Sequence, residues 1–231
     1  MKKTILAFIL SATALPSCDS GDIYPVRIEE RNDNIAISGD FILRGDAGAQ
    51  NFSLCLAAFE EDNASPVVWT NVIKGADTDT VHLTLSNIPP QSVAVRLCLL
   101  SIGRRSIYDF FSYDISGAVS DAEIPLTEVA LKINYGKIQD IFERNTCTAC
   151  HGAESGGAGL LLDAAVSYEN LVNRQALNSG KMRVEPFSTD GSFLLDALVY
   201  DIPLSHPHGS IVYNQDDINL LRAWIELGAE Q

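Results

Sequence analysis

The pattern of apolar and polar positions changes near residue 135. Before that point, short apolar or alternating runs are separated by turn-forming residues, which is the pattern of β-strands. The predicted strands cover residues 34–43, 52–59, 67–73, 80–85, 93–102, 107–113 and 128–133. Seven short strands over about a hundred residues predict an antiparallel β-sandwich of immunoglobulin-like type for residues 33–134.

Beyond residue 135 the apolar positions take the spacing of helices. Ile138, Ile141 and Phe142 fall on one face of a predicted helix, and a longer stripe occupies residues 216–228, with acidic residues in its first turn and a glycine at its end. Two further helices are predicted at 167–173 and 192–200. We therefore expect a multidomain chain in which residues 135–231 form a small all-α domain.

The N-terminus has the pattern of an export signal. Residues 1–17 contain two lysines followed by an apolar run that is too short to span a bilayer. Residues 15–18 read Leu-Pro-Ser-Cys and resemble the bacterial lipobox, which implies acylation of Cys18; the alternative is an ordinary cleaved signal with a chance cysteine. Residues 18–32 would be the lipidated tether. The expected location is therefore the cell envelope, lipid-anchored to the outer membrane on its periplasmic or surface face, with the leaflet left open.

The net charge of the chain indicates which kinds of partner it can bind. The chain has 16 Lys and Arg against 30 Asp and Glu, a formal charge of −14, while its apolar fraction of 46% is ordinary for globular protein. Such a surface repels nucleic acids and favours basic partners, so nucleic-acid functions are set aside.

One motif carries chemistry. Residues 147–151 read Cys-Thr-Ala-Cys-His, the C-x-x-C-H pattern of c-type haem attachment. At this spacing Cys147 and Cys150 can add to two vinyl groups on one porphyrin edge, and His151 can ligate the iron. Cytochromes c mature outside the cytoplasm, which agrees with the export signal.

Three other interpretations of the motif stay open at this point. A structural zinc site would need four ligands, which Cys147, Cys150, His206 and His208 could supply. A thioredoxin-like redox pair would need a βαβ context. A plain disulfide between Cys147 and Cys150 is the third alternative.

Residues 134–231 resemble the small cytochrome c domains of bacterial, planctomycete-type lipoproteins. The resemblance lies in a helix that leads into the cysteines, a His-Gly exit, a glycine-rich turn followed by apolar residues, an Arg-Val-Glu-Pro stretch and a closing helix with Trp-Ile and Gly-Ala. These segments are residues 138–145, 151–152, 156–163, 168–173, 183–186, 192–195 and 220–229. The resemblance implies one covalent haem c.

The resemblance also implies a sixth iron ligand, but this sequence departs from the family pattern at that position. The family commonly places a methionine before a proline ahead of the closing helix, and here His206 stands before Pro207. His206 is therefore the expected distal ligand. His208, Met182 and an open sixth position are the alternatives.

Four other side chains are candidates for binding or cross-linking. Arg183 would pair with a haem propionate, or form an ordinary salt bridge. Trp224 would contact the haem, or belong to the helix-packing core. Cys55 and Cys98, in two predicted strands, would form a disulfide in an oxidising compartment, or remain buried thiols.

The sequence thus predicts a membrane-anchored c-type cytochrome that exchanges single electrons with a redox partner protein. One alternative is a haem peroxidase, which needs a displaceable sixth ligand. The other is a surface binding lipoprotein in which the sandwich recognises a ligand and the haem is accessory.

Overall fold

The structure is a computed structural model that describes residues 33–45, 51–74, 79–154, 156–177, 179–200, 208–209, 211–212 and 214–231. The signal at 1–17, Cys18, the tether at 18–32 and His206 lie outside these ranges, so the predictions made for them stay predictions.

Seven strands form within the described residues, close to the predicted positions. Alternating burial explains the first of them, since Ile35, Ile37, Phe41 and Leu43 are buried and their neighbours are not. The strands are β1 (Ile35–Arg44), β2 (Phe52–Phe59), β3 (Val68–Asn71), β4 (Thr80–Ile88), β5 (Ala94–Ser101), β6 (Ser106–Asp114) and β7 (Ala122–Ala130). Only β7 differs substantially from its predicted range.

The strands make two sheets, in the orders β4-β1-β7 and β3-β2-β5-β6. Phe41 and Phe111 join them through an edge-to-face contact with ring centroids 5.6 Å apart. The expectation of a wholly antiparallel arrangement is wrong, because β7 runs parallel to β1. These two strands come close at Gly39, where an added Cβ would lie 2.8 Å from the Ile124 carbonyl oxygen.

Short helices follow the strands. They are α1 (Tyr135–Arg144), α2 (Thr148–His151), α3 (Ser167–Leu171), α4 (Phe193–Val199) and α5 (Gln215–Glu226), with one 3₁₀ turn at Gly157–Gly159. Asn134 caps α1 by accepting a hydrogen bond from the Gly136 amide at 2.7 Å, and Asn214 caps α5 by accepting one from the Asp216 amide at 3.0 Å.

The predicted fold class, an immunoglobulin-like sandwich followed by a small all-α cytochrome c-like domain, is wrong. The described residues are mainly β-sheet, and the helices after residue 134 have only 4 to 12 residues. Isolated β-bridges, including Val172–Val184 and Gln175–Met182, pair the loop segments between them. These backbone groups find partners in other loops rather than in longer helices. The domain boundary near residue 134 stays a prediction.

One cluster of buried apolar side chains runs from both sheets into the helices, and includes Leu97, Ile124, Phe142 and Trp224. Polar contacts join the same parts at the surface. Arg105, just before β6, donates to Asp216 of α5 at 2.8 Å, and Asn51 donates to Glu226 at 2.6 Å. Helix α5 is thus held against the β-sheet part of the chain.

We expect Asp217→Asn to lower the free energy of unfolding by about 1–2 kcal/mol, because a buried charged partner of Arg144 is lost. Asp217 is buried and accepts from Arg144 Nε at 3.2 Å, which ties α5 to the end of α1. Urea unfolding measures the change.

Asp216→Asn is the matched control, because Asp216 is the preceding residue of α5 and also pairs with an arginine. That pair is exposed to solvent on both sides, so its loss should have a smaller effect. An equal or larger effect at Asp216 would contradict this account.

Candidate haem-attachment site

Cys147 follows the turn that ends α1. The amide of Thr146 donates to the Glu143 carbonyl at 3.0 Å and that of Cys147 donates to the Phe142 carbonyl at 2.9 Å, which together form a Schellman motif. The motif needs a left-handed residue, and Thr146 takes that position with a φ of 56°. A β-branched residue is strained there, so local preference alone does not explain this turn.

Cys147 is the N-cap of α2, and the helix itself carries Cys150 and His151. Cys147 is half-buried against the core, whereas Cys150 is exposed, and both are free thiols. Burial raises the pKa of the Cys147 thiol above its usual value. The two sulfurs therefore differ in environment although they lie one helical turn apart.

His151 is oriented by a backbone carbonyl. Its Nδ1 lies 2.9 Å from the Gly157 carbonyl oxygen. Because a carbonyl can only accept, Nδ1 carries the proton and donates. In a neutral imidazole protonated at Nδ1, the other nitrogen, Nε2, has the lone pair that can bind a metal. A hydrogen bond from the other ring nitrogen to a carbonyl is typical of metal-ligating histidines.

The glycine-rich loop that supplies this carbonyl is held from its other side by Arg183. The guanidinium donates to the carbonyl oxygens of Gly159 at 2.9 Å and Asn170 at 2.8 Å. Desolvation lowers the pKa of Arg183 from its usual value, with Arg174 contributing. Arg183 therefore cross-links the loop, while its pairing with a haem propionate stays a prediction.

A chain of buried hydrogen bonds fixes the exit from α2. Tyr135 donates to Ser167 Oγ at 2.8 Å, Ser167 donates to Gln139 Oε1 at 2.6 Å, and Gln139 Nε2 donates to the Leu162 carbonyl at 2.9 Å. The Leu162 amide in turn donates to the His151 carbonyl at 2.7 Å. The sequence analysis did not single out these residues. The available signal was Gln139, a polar residue between apolar neighbours on the buried face of α1.

Trp224 lies in the core next to this chain. Its ring is 5.5 Å from that of Tyr135, and its Nε1 donates to the Glu230 carbonyl at 2.9 Å. The side chain is buried with 1% exposed. It packs α5 against α1, and a contact with haem stays a prediction.

A second histidine faces the first. The rings of His151 and His208 have centroids 5.9 Å apart and planes at 35°. His208 comes from the segment before α5, far along the chain from α2. Of the other predicted distal ligands, His206 lies outside the described residues and Met182 is partly exposed.

The chemistry of the donor set is compatible with haem, whereas the zinc alternative includes His206, which lies outside the described residues. A structural zinc site needs four protein ligands. Within the described ranges, no group of three or more His, Cys, Asp or Glu side chains is placed to hold a metal ion. A porphyrin brings its own four nitrogens, so the protein has to supply only axial ligands and the two thiols. His151, His208, Cys147 and Cys150 meet that requirement.

The other cysteine pair lies in the four-stranded sheet. Cys55 of β2 and Cys98 of β5 are directly opposite each other in the antiparallel register, and both are free and buried. Burial raises the pKa of Cys55 to about 11 and that of Cys98 further. Cys55 Sγ donates to Asn71 Oδ1 at 3.3 Å. A disulfide between Cys55 and Cys98 stays a prediction.

In comparisons with known proteins, no family model, no curated protein and no solved structure matches this chain. The resemblance to planctomycete-type cytochrome c lipoproteins therefore stays a prediction. As to membrane spans, none of the helices in the described ranges is long and apolar enough to cross a bilayer.

We expect Cys150 to react first when the haem-free protein is treated with iodoacetamide near pH 8. Cys150 is exposed, whereas burial keeps Cys55 and Cys98 protonated and inaccessible, and the thiolate is the reactive form. Peptide mass spectrometry after timed quenching gives the order. Labelling in urea is the control, since unfolding should remove the difference. Equal rates in the folded protein would contradict the burial described here.

Proposed function

We propose that this chain is a membrane-anchored c-type cytochrome that transfers single electrons through one covalently bound haem. Cys147 and Cys150 hold the haem, and His151 ligates its iron. Cys18 carries the lipid anchor in the cell envelope. The proposal concerns the attachment site and does not depend on an all-α domain around it.

The hydrogen bond from His151 Nδ1 to the Gly157 carbonyl is the observation that carries the proposal. It leaves Nε2 as the free lone pair of a histidine that directly follows two correctly spaced thiols. The ring of His208, whose centroid lies 5.9 Å from that of His151, offers a second nitrogen donor nearby.

Attachment uses the two thiols without any oxidant. Each thiol adds across one vinyl double bond, so that sulfur bonds to one carbon and the thiol hydrogen goes to the other. Both cysteines must be reduced beforehand, as they are in the structure. The exposed Cys150 is accessible to such a reaction, and the half-buried Cys147 lies at the core edge, where an apolar group is accommodated.

When bound, the haem supplies reversible one-electron exchange. The protein residues bind it, orient the proximal imidazole and limit access of water from the core side. The excess of acidic residues, with a net charge of −14, favours a redox partner protein with a basic docking surface.

Replacing both Cys147 and Cys150 by alanine should abolish covalent haem in protein expressed with a cytochrome c maturation system. Haem staining on a denaturing gel and a pyridine haemochrome assay measure the covalently bound haem. The double variant Cys55→Ala, Cys98→Ala is the control and should keep its haem. Stoichiometric zinc and no haem in the wild-type protein would refute the proposal.

We expect Gly157→Ala to raise the midpoint potential of the holoprotein. A Cβ at this position would lie 2.8 Å from the Cys150 carbonyl oxygen, so the loop must move and its bond to His151 weakens. That bond makes the imidazole a stronger donor, which favours the ferric form. Redox titration measures the shift.

Gly180→Ala is the matched control, because an added Cβ there meets no atom within 4 Å. Its potential should equal that of the wild type. If both variants or neither shift the potential, the carbonyl of Gly157 does not tune the proximal histidine.

A further inference from the structure

We propose that His208 is the second axial ligand of the iron, opposite His151. The inference rests on the proposed function, and it names the sixth ligand that the sequence leaves undecided. Its basis is the placement of the two imidazole rings, with centroids 5.9 Å apart and planes at 35°.

The spacing of the rings suits a single metal atom between them. A histidine nitrogen lies about 2 Å from a bound metal, and about 1.1 Å from the centre of its own ring, so two opposed imidazoles on one metal have centroids about 6 Å apart. Two rings stacked directly on each other would be closer, with atoms at about 3.5–4 Å. The observed 5.9 Å leaves room for a metal atom between the two rings, which direct stacking would not.

The segment that carries His208 is held on both sides. The His208 carbonyl accepts from the Ile211 amide at 2.9 Å, and Val212 is buried in the core just before α5 begins. An added Cβ at Gly209 would lie 3.7 Å from the Tyr200 carbonyl oxygen, so this glycine packs against the end of α4. His208 is therefore presented by backbone that both flanking helices position.

Sequence position alone favours His206, since it stands where the resembling family has its methionine. The two histidines flank Pro207 in the sequence. Among the described residues, it is the ring of His208 that lies near the ring of His151. Histidine on both faces predicts six-coordinate, low-spin iron with a lower potential than histidine and methionine give.

The test uses the holoprotein and three single variants: His208→Ala, His206→Ala and Met182→Leu. Visible and electron paramagnetic resonance spectra of the ferric form report the spin state. We expect His208→Ala to lose the low-spin signal and to regain it with added imidazole, while the other two variants stay low-spin. A further variant, His208→Met, should stay low-spin at a raised midpoint potential.

Two outcomes would overturn the inference while leaving the proposed function intact. Loss of the low-spin signal in His206→Ala but not in His208→Ala would assign His206. A methionine-to-iron band in the wild type that disappears in Met182→Leu would assign Met182. By contrast, absence of covalent haem from the wild-type protein would refute the proposed function itself.

Discussion

The position of α2, which carries residues of the proposed haem-attachment site, depends on one buried chain of hydrogen bonds. It starts at the Tyr135 hydroxyl, passes through Ser167 and Gln139, and ends at Leu162, whose amide holds the His151 carbonyl. Each step points the same way, and Gln139 Nε2 also donates to Glu143 Oε1 at 3.3 Å. Burial raises the pKa of Tyr135 to about 12, so its hydroxyl keeps the proton that starts the chain. Loss of any member would leave buried polar groups unpaired, at about 1–3 kcal/mol each. This cost fixes α2 relative to α1 and α3.

The same constraint connects the site to the rest of the fold. Tyr135 also packs against Trp224, and Asp217 joins α5 to the end of α1 through Arg144. Helix α5 meets the sandwich through Arg105 and Asp216. Because the apolar cluster is continuous across these contacts, the short helices need not supply a core of their own. Helices too short to be stable alone persist here because their apolar side chains share one buried cluster with the β-sheets.

Local patterns predicted most elements, and long-range contacts account for what they missed. The alternation in β1 and the stripe in α5 are properties of neighbouring residues, so both could be read from the sequence. The parallel pairing of β7 with β1 depends on a close approach at Gly39, and the left-handed turn before Cys147 uses a threonine where glycine is usual. The β-bridges after residue 171 likewise form between segments distant in sequence. No local signal marks these features, and together they explain why an all-α domain was expected wrongly.

The candidate site also combines residues that a local sequence motif marks with a residue that only long-range contacts place there. Cys147, Cys150 and His151 could be singled out as candidates because they lie close together in the sequence, whereas the proposed distal ligand, His208, comes from a separate part of the chain and depends on how α4 and α5 are placed. The ring spacing also bears on the kind of chemistry. With His151 and His208 both bound to one iron, neither face would be open to peroxide unless His208 moved away. A haem closed on both faces changes its coordination little between oxidation states, which suits outer-sphere electron exchange. The arrangement of the two rings therefore favours a carrier over a peroxidase.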